Sequence, residues 1–141
     1  MASFEEAITA RLAAPADLTA QISTRSYDSI LPQGTTYPAV TWQVVDRHDE
    51  RHFRGQHDEF PVTVQVDTWA ATAASRRTVA DLVRSTMRGW VGLWGGVLVR
   101  RAFKDADFDT IENADDGGSL PYFRNVQRWV VWIRQAETAV T

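Results

Sequence analysis

Three histidines lie close together in one polar stretch, DRHDERHFRGQHDE, at residues 46–59. Imidazole and carboxylate groups at such short spacing are ligands that zinc and other transition metals accept. The spacing of His48, His52 and His57 matches no standard metal motif, and dependable sites need ligands held by rigid elements. We therefore expect no metal site, and we interpret the stretch as a solvated hairpin tip used for docking. A small metal-dependent hydrolase that uses these histidines stays as an alternative.

Asp105, Asp107 and Asp109 resemble the start of a calcium-binding loop. Such a loop needs glycine at its sixth position and a bidentate glutamate at its twelfth. Those positions hold Thr110 and Asp116, and the flanking residues have the pattern of strands. The pattern therefore favours acidic side chains at a strand end or edge, where charge discourages unwanted pairing.

Other catalytic patterns are absent from the sequence. The chain has no cysteine, which excludes disulfides, thiolate zinc sites and cysteine nucleophiles. The glycines around Trp94 lack the Lys-Ser/Thr that a P-loop requires, and no Gly-x-Ser-x-Gly elbow occurs. We predict no catalytic residue and no cofactor, and hence a protein that is not an enzyme.

The composition is that of an ordinary globular chain. Its 141 residues fit one domain, residues 1–141, and no apolar stretch approaches the ~20 residues that would span a bilayer. The net charge of -3 argues against a dedicated nucleic-acid binder. Six tryptophans are many for this length, and tryptophan is enriched both in cores and at protein interfaces.

Hydrophobic periodicity predicts the elements. Ser3 begins a capping box for a first helix that ends before Pro15, and Ser75 caps a helix that runs to about Trp90. Alternating residues predict strands at 39–45, 60–69, 97–108 and 123–134. Both faces of the last strand become apolar toward its end, which favours a central position.

The order of these elements favours an α+β fold. Two hairpins joined by a helix predict an antiparallel β-sheet of about four to five strands, flanked by two helices on one face.

Three segments resemble the tail-completion family of long-tailed phages and phage-like particles, also called tail terminators or head-to-tail joining proteins. Residues 31–42, LPQGTTYPAVTW, resemble the family segment P-x-G…P-x-V-x-[YW]. Residues 62–70, VTVQVDTWA, are similar to its V-Q-V-D-x-W-A strand, and a helix follows in both. Residues 128–132, RWVVW, resemble its final strand, so the resemblance spans about residues 15–134.

This resemblance implies a structural virion protein at the junction of tail and head, assembled in the host cytoplasm. Such proteins form a ring, usually a hexamer, that ends tail-tube growth and joins the tail to the head connector or stopper. DNA passes through the channel without specific binding, no membrane is involved, and the family offers no catalytic residue to carry over. A different neck or minor-tail component, such as a stopper or adaptor, is the alternative within this class.

The functional residues of such a protein are then those on its contact surfaces. We expect two polar loops, residues 47–59 and 109–121, to become ordered on contact with the tube or the connector. The expected contact residues for the ring and its partners are Arg47, His48, His52, Phe53, Arg54, His57, Trp69, Asp115 and Asp116.

Overall fold

A computed structural model describes residues 3–47, 59–112 and 122–135. The elements run in the order α1 (Phe4–Ala13), α2 (Ala16–Ile22), β1 (Ser26–Asp28), β2 (Ala39–Arg47), β3 (Glu59–Ala70), α3 (Ala73–Arg88), β4 (Gly92–Trp94), β5 (Val97–Glu112) and β6 (Tyr122–Gln135). No helix among these residues is long and apolar enough to cross a membrane.

Within the described residues, the strands form one six-stranded sheet in the order β1-β2-β3-β6-β5-β4. The predicted hairpins β2–β3 and β5–β6 are present, and β3 joins them by pairing antiparallel to β6 over its whole length. The predicted central position of β6 is therefore confirmed, because it lies between the two longest other strands.

The prediction of four to five antiparallel strands and two helices needs correction. The described residues contain three helices and six strands, and β1 pairs parallel to β2. The strands β1 and β4 have three residues each, too few for a period of two to be visible in a sequence. The connection at residues 29–38 returns the chain from the end of β1 to the start of β2, as a parallel pair requires.

Local hydrogen bonds determine where the helices begin. The Ser3 hydroxyl accepts a hydrogen bond from the Glu6 amide at 3.1 Å, as the capping box predicts. The helix α3 begins earlier than expected, because Thr72 and not Ser75 is its cap. The Thr72 hydroxyl accepts a hydrogen bond from the Ser75 amide at 3.1 Å.

The turn between β4 and β5 depends on two glycines. Gly95 and Gly96 have φ angles of 57° and 91°. Both angles lie in the left-handed region, and positive φ at both central positions is what a two-residue type I′ hairpin turn requires. Trp94 and Val97 pair directly on either side of it.

The three helices pack on one face of the sheet and form the core there. Trp129 and Val64 of the central strands, Trp90 after α3, and Leu12 of α1 are buried in this cluster. The ring of Phe4 contacts that of Trp90, with centroids 5.6 Å apart. Nearly all of the apolar burial thus lies between this single sheet face and the helices.

A row of polar side chains continues along β6 beneath α3. Asn125 and Gln127 are fully buried. The Gln127 amide donates to the Ala80 carbonyl of α3 at 3.1 Å and to the Asn125 side-chain oxygen at 2.9 Å, and the Trp129 indole donates to Gln127 at 2.9 Å. Because these buried polar groups are bonded to each other, the row fixes the position of α3 on the sheet at little cost.

An ion pair fastens the same helix to β5. The Arg84 guanidinium donates to the Asp107 carboxylate at 2.6 Å, and Lys104 and Asn125 each donate to it at 3.0 Å. Burial alone would raise the pKa of Asp107, but the hydrogen bonds from Arg84, Asn125 and Lys104 lower this pKa well below its ordinary value of 3.8.

We predict that Asp107→Asn lowers the free energy of unfolding at pH 7 by about 1–3 kcal/mol, because it removes a charge-assisted network. The depressed pKa of the folded state stabilises the protein above the ordinary pKa, and this contribution is lost as pH falls through the folded-state pKa. The difference between wild type and variant should therefore shrink below about pH 4, as measured by urea unfolding at several pH values.

Asp105→Asn is the matched control. Asp105 is exposed and has no hydrogen bond or ion pair within the described residues, so its variant should unfold like the wild type. A pH-independent difference for Asp107→Asn would contradict the assignment of its effect to the carboxylate charge.

Candidate functional site

Most of the expected contact residues lie outside the residues that the structure describes. These are His48, His52, Phe53, Arg54, His57, Asp115 and Asp116. Within the described ranges, no group of three or more histidine, cysteine, aspartate or glutamate side chains could hold a metal ion.

Arg47 is described, and it forms an ion pair within the chain. It lies at the end of β2, and its guanidinium contacts the Glu5 carboxylate of α1. Both side chains are more than a third exposed, so the pair contributes little to stability and leaves Arg47 accessible.

The acidic residues of β5 lie on a strand, as the sequence favours over a calcium loop. Asp107 belongs to the network that holds α3. Asp109 accepts a hydrogen bond from the Asn125 amide at 2.8 Å, and its carboxylate lies 3.7 Å from the Arg76 guanidinium. These carboxylates are therefore occupied by cationic and amide donors of α3 and β6.

Trp69 is an internal anchor on the sheet face that the helices leave uncovered. Its indole donates to the Thr41 hydroxyl at 3.0 Å, and the Arg124 guanidinium lies 4.8 Å from the centre of its ring. Arg124 also donates to Asp67 at 2.6 Å and to Glu112 at 3.0 Å. Burial disfavours the charge of Arg124, yet its bonds to these carboxylates raise its pKa above the ordinary value.

The uncovered face carries a continuous apolar and cationic surface over β4, β5 and β6, which we name the arginine–aromatic strip. Its members share the side of the sheet opposite to the core residues Val97, Val99 and Trp129. They are Leu93, Leu98, Arg101, Phe103, Phe108, Arg128, Val130 and Trp132.

Cross-strand pairs make the strip continuous. Phe103 lies opposite Val130, and Arg101 lies opposite Trp132. The Arg101 guanidinium lies 5.3 Å from the ring centre of Phe103 and 5.6 Å from that of Trp132. Cation–π contacts at these distances attract the guanidinium to both aromatic rings.

The apolar side chains of the strip are unusually exposed to solvent. Leu93 is 69% exposed, and Phe103 and Phe108 are each 51% exposed. Exposed apolar surface of this kind is common at sites of protein interaction. Its members include no nucleophile and no general base.

The strip is not among the features that the sequence predicts. Its only signal in the sequence is the apolar character of both faces of β6, at Val130 and Trp132. On β5, Phe103 and Phe108 are five residues apart, and they reach the same face because a bulge interrupts the register between Lys104 and Ala106. Strict alternation cannot foresee that.

We predict that Trp69→Ala lowers the free energy of unfolding by about 2–3 kcal/mol, because it removes a half-buried ring and unpairs the Thr41 hydroxyl. The matched control is Phe103→Ala in the exposed strip, which should change stability by less than about 1 kcal/mol. Thermal melting of the two variants beside the wild type measures both. An unchanged melting temperature for Trp69→Ala would instead support the expectation from the sequence that Trp69 is an interface residue.

Comparison with known proteins identifies the family of this chain. The family model described as "Tail completion protein gp17" matches residues 6–135. No curated protein matches the chain by sequence.

A solved structure described as "Virion of native gene transfer agent (GTA) particle" contains a chain of similar fold. The TM-score is 0.70 at 14% identity, and the similarity covers 93% of this chain and 95% of that chain. The family match extends over nearly all of the residues from α1 to β6. The chain therefore belongs to the tail completion protein gp17 family: it is a structural protein of the virion tail and not an enzyme, which excludes the hydrolase alternative.

Proposed function

We propose that this chain forms a closed ring, a hexamer, on the end of the tail tube, where it stops polymerisation and joins the tail to the head connector. The observation that carries this proposal is the arginine–aromatic strip. Phe103 and Phe108 are half-exposed on an uncovered sheet face, and this contact of apolar surface with water is unfavourable in free energy. Burial against another protein removes the unfavourable contact.

The ends of the sheet support a role between two partners. Arg47 and Glu59 lie at one end, because β2 and β3 pair antiparallel. Glu112 and Tyr122 lie at the other end, next to Ala70. Strands of this length separate the two ends by about 40 Å. We propose that residues 48–58 contact one partner and residues 113–121 contact the other, one being the tail-tube protein and the other the connector or stopper.

The charge of the chain is compatible with a channel for DNA. With a net charge of -3, a ring of these subunits repels a phosphate backbone on average. DNA would then pass through the channel without specific binding.

We expect the purified chain to stop the polymerisation of the major tail-tube protein from the same particle. Tubes grown with the chain present should be shorter, and electron microscopy should show one ring of six 15.9-kDa chains at a tube end. A quantitative readout is the mean tube length as a function of the ratio of this chain to tube protein.

Two variants test the assignment of the two ends. His48→Ala combined with His52→Ala and His57→Ala alters one segment, and Asp115→Ala combined with Asp116→Ala alters the other. We expect one variant to lose binding to tubes and the other to lose binding to the connector. Tubes that grow to full length at any concentration of the wild-type chain would contradict termination. Binding to the connector without an effect on tube length would instead identify a stopper or adaptor.

A further inference from the structure

The described surface contains a second region whose charge is opposite to that of the strip. We name it the acidic edge, and it consists of Asp28, Ile30, Val45 and Asp46 on the β1–β2 side of the sheet. Ile30 is 77% exposed and Val45 is 39% exposed. Within the described residues, neither aspartate forms an ion pair. Asp28 lies opposite the core residue Trp42, on the helix-covered face, and Asp46 lies opposite Thr63, on the uncovered face. Each face of this edge therefore presents one carboxylate beside exposed apolar side chains.

Backbone hydrogen bonds join the two strands that carry the acidic edge. The Ser29 amide, next to Ile30, donates to the Trp42 carbonyl of β2 at 2.8 Å. The strand β1 ends there, so the outer side of β2 from Gln43 to Arg47 has no strand partner among the described residues. Val45 lies in the bulge between Val44 and Asp46, which turns this part of β2 out of the regular ladder.

The strip has the complementary character. Arg101 and Arg128 are exposed, and among the described residues neither is paired with a carboxylate. Arg128 donates to the neutral Gln65 side chain at 3.0 Å, and Arg101 lies over aromatic rings. The strip thus combines exposed apolar rings with cations that lack anions, whereas the acidic edge combines exposed aliphatic groups with anions that lack cations.

The two surfaces lie toward opposite ends of the strand order. The acidic edge is on β1 and β2, and the strip is on β5, β6 and β4 at the other side of the strand order. Two to five interstrand spacings separate their members, which is about 10–25 Å, because Asp46 and Val130 both pair with Thr63 of β3 whereas β1 and β4 are the outermost strands. Side chains stand roughly perpendicular to a sheet, so one chain cannot bury these two surfaces of its own sheet against each other, but two chains placed head to tail can.

We propose that the arginine–aromatic strip of one copy receives the acidic edge of the next copy, and that this single heterologous contact repeats around the ring. Contacts of this kind close into a ring when the rotation between neighbours is right. In this contact the edge of one sheet packs against the face of the next sheet, so the subunits do not form a continuous flat sheet. This inference rests on the proposed function and specifies how the ring is held together.

Paired charge reversal tests the contact. The strip variant is Arg101→Glu with Arg128→Glu, and the edge variant is Asp28→Lys with Asp46→Lys. Each places like charges across the proposed contact, and we expect each to weaken self-association by about 100-fold. The fourfold variant that carries all of these changes restores opposite charges at every contact, and it should regain rings on tubes.

An equimolar mixture of the strip variant and the edge variant provides a second readout. Every contact in a ring of alternating variants is attractive, so the mixture should form rings although neither variant does so alone. Arg77→Glu with Arg88→Glu, which reverses two exposed arginines of α3, is the matched control and should assemble like the wild type. Circular dichroism and thermal melting confirm that all variants are folded.

The outcomes separate this inference from the proposed function. If the wild type neither forms rings nor shortens tubes, the proposed function fails. If the wild type caps tubes and the strip and edge variants cap them equally well, only the contact proposed here is overturned.

Two further outcomes would also overturn the contact. Rings of the strip variant that no longer bind tubes would assign the strip to the tube protein. Loss of double-stranded DNA binding in the strip variant, with assembly unchanged, would assign the strip to the channel.

Discussion

The packing of all the helices against one face of the sheet is the constraint on which the rest of the structure depends. Trp129, Val131 and Ile133 of β6 enter the core on that face, where Val64 of β3 and the helices cover them. A strand directs alternate side chains to opposite faces, so every residue committed to the core places a neighbour on the other side. The bare face and its exposed rings are therefore a direct consequence of the way in which the core is formed.

The edges of the sheet restrict how other chains can use it. The outermost strands, β1 and β4, have three residues each, and β5 carries bulges next to Arg101 and Ala106. Arg76 of α3 donates to the Thr110 carbonyl at 3.2 Å, which occupies part of the β5 edge from the side. Short, bulged and charged edges resist uncontrolled strand addition. Association through side chains on the face is then favoured over open-ended growth of the sheet, and a ring requires such a limit.

The sequence predicted the parts of the fold that depend on long periodic segments. The four long strands, α1, α3 and the central position of β6 follow from hydrophobic alternation and helical spacing. The three-residue strands and the parallel pairing of β1 depend on tertiary contacts, and no local pattern encodes them. The candidate surface was harder to predict than the fold. Tryptophan is a residue type that is common at interfaces, but Trp69 contacts Thr41 and Arg124 of its own chain, which are distant from it in sequence.

The arginines of the sheet and of α3 fall into two groups, one that stabilises the fold and one that is available for the proposed assembly. Arg84 and Arg124 each bond to a carboxylate at 2.6 Å and join elements within one chain. Arg101 and Arg128 lie on the same sheet, yet their neighbours are aromatic rings and a neutral amide. The guanidinium groups of Arg84 and Arg124 use their donors for carboxylates of their own chain, whereas a guanidinium without such a partner can still form a charge-assisted, bidentate pair. Among the described residues, the arginines without a carboxylate partner are therefore the ones on which the proposed contact depends.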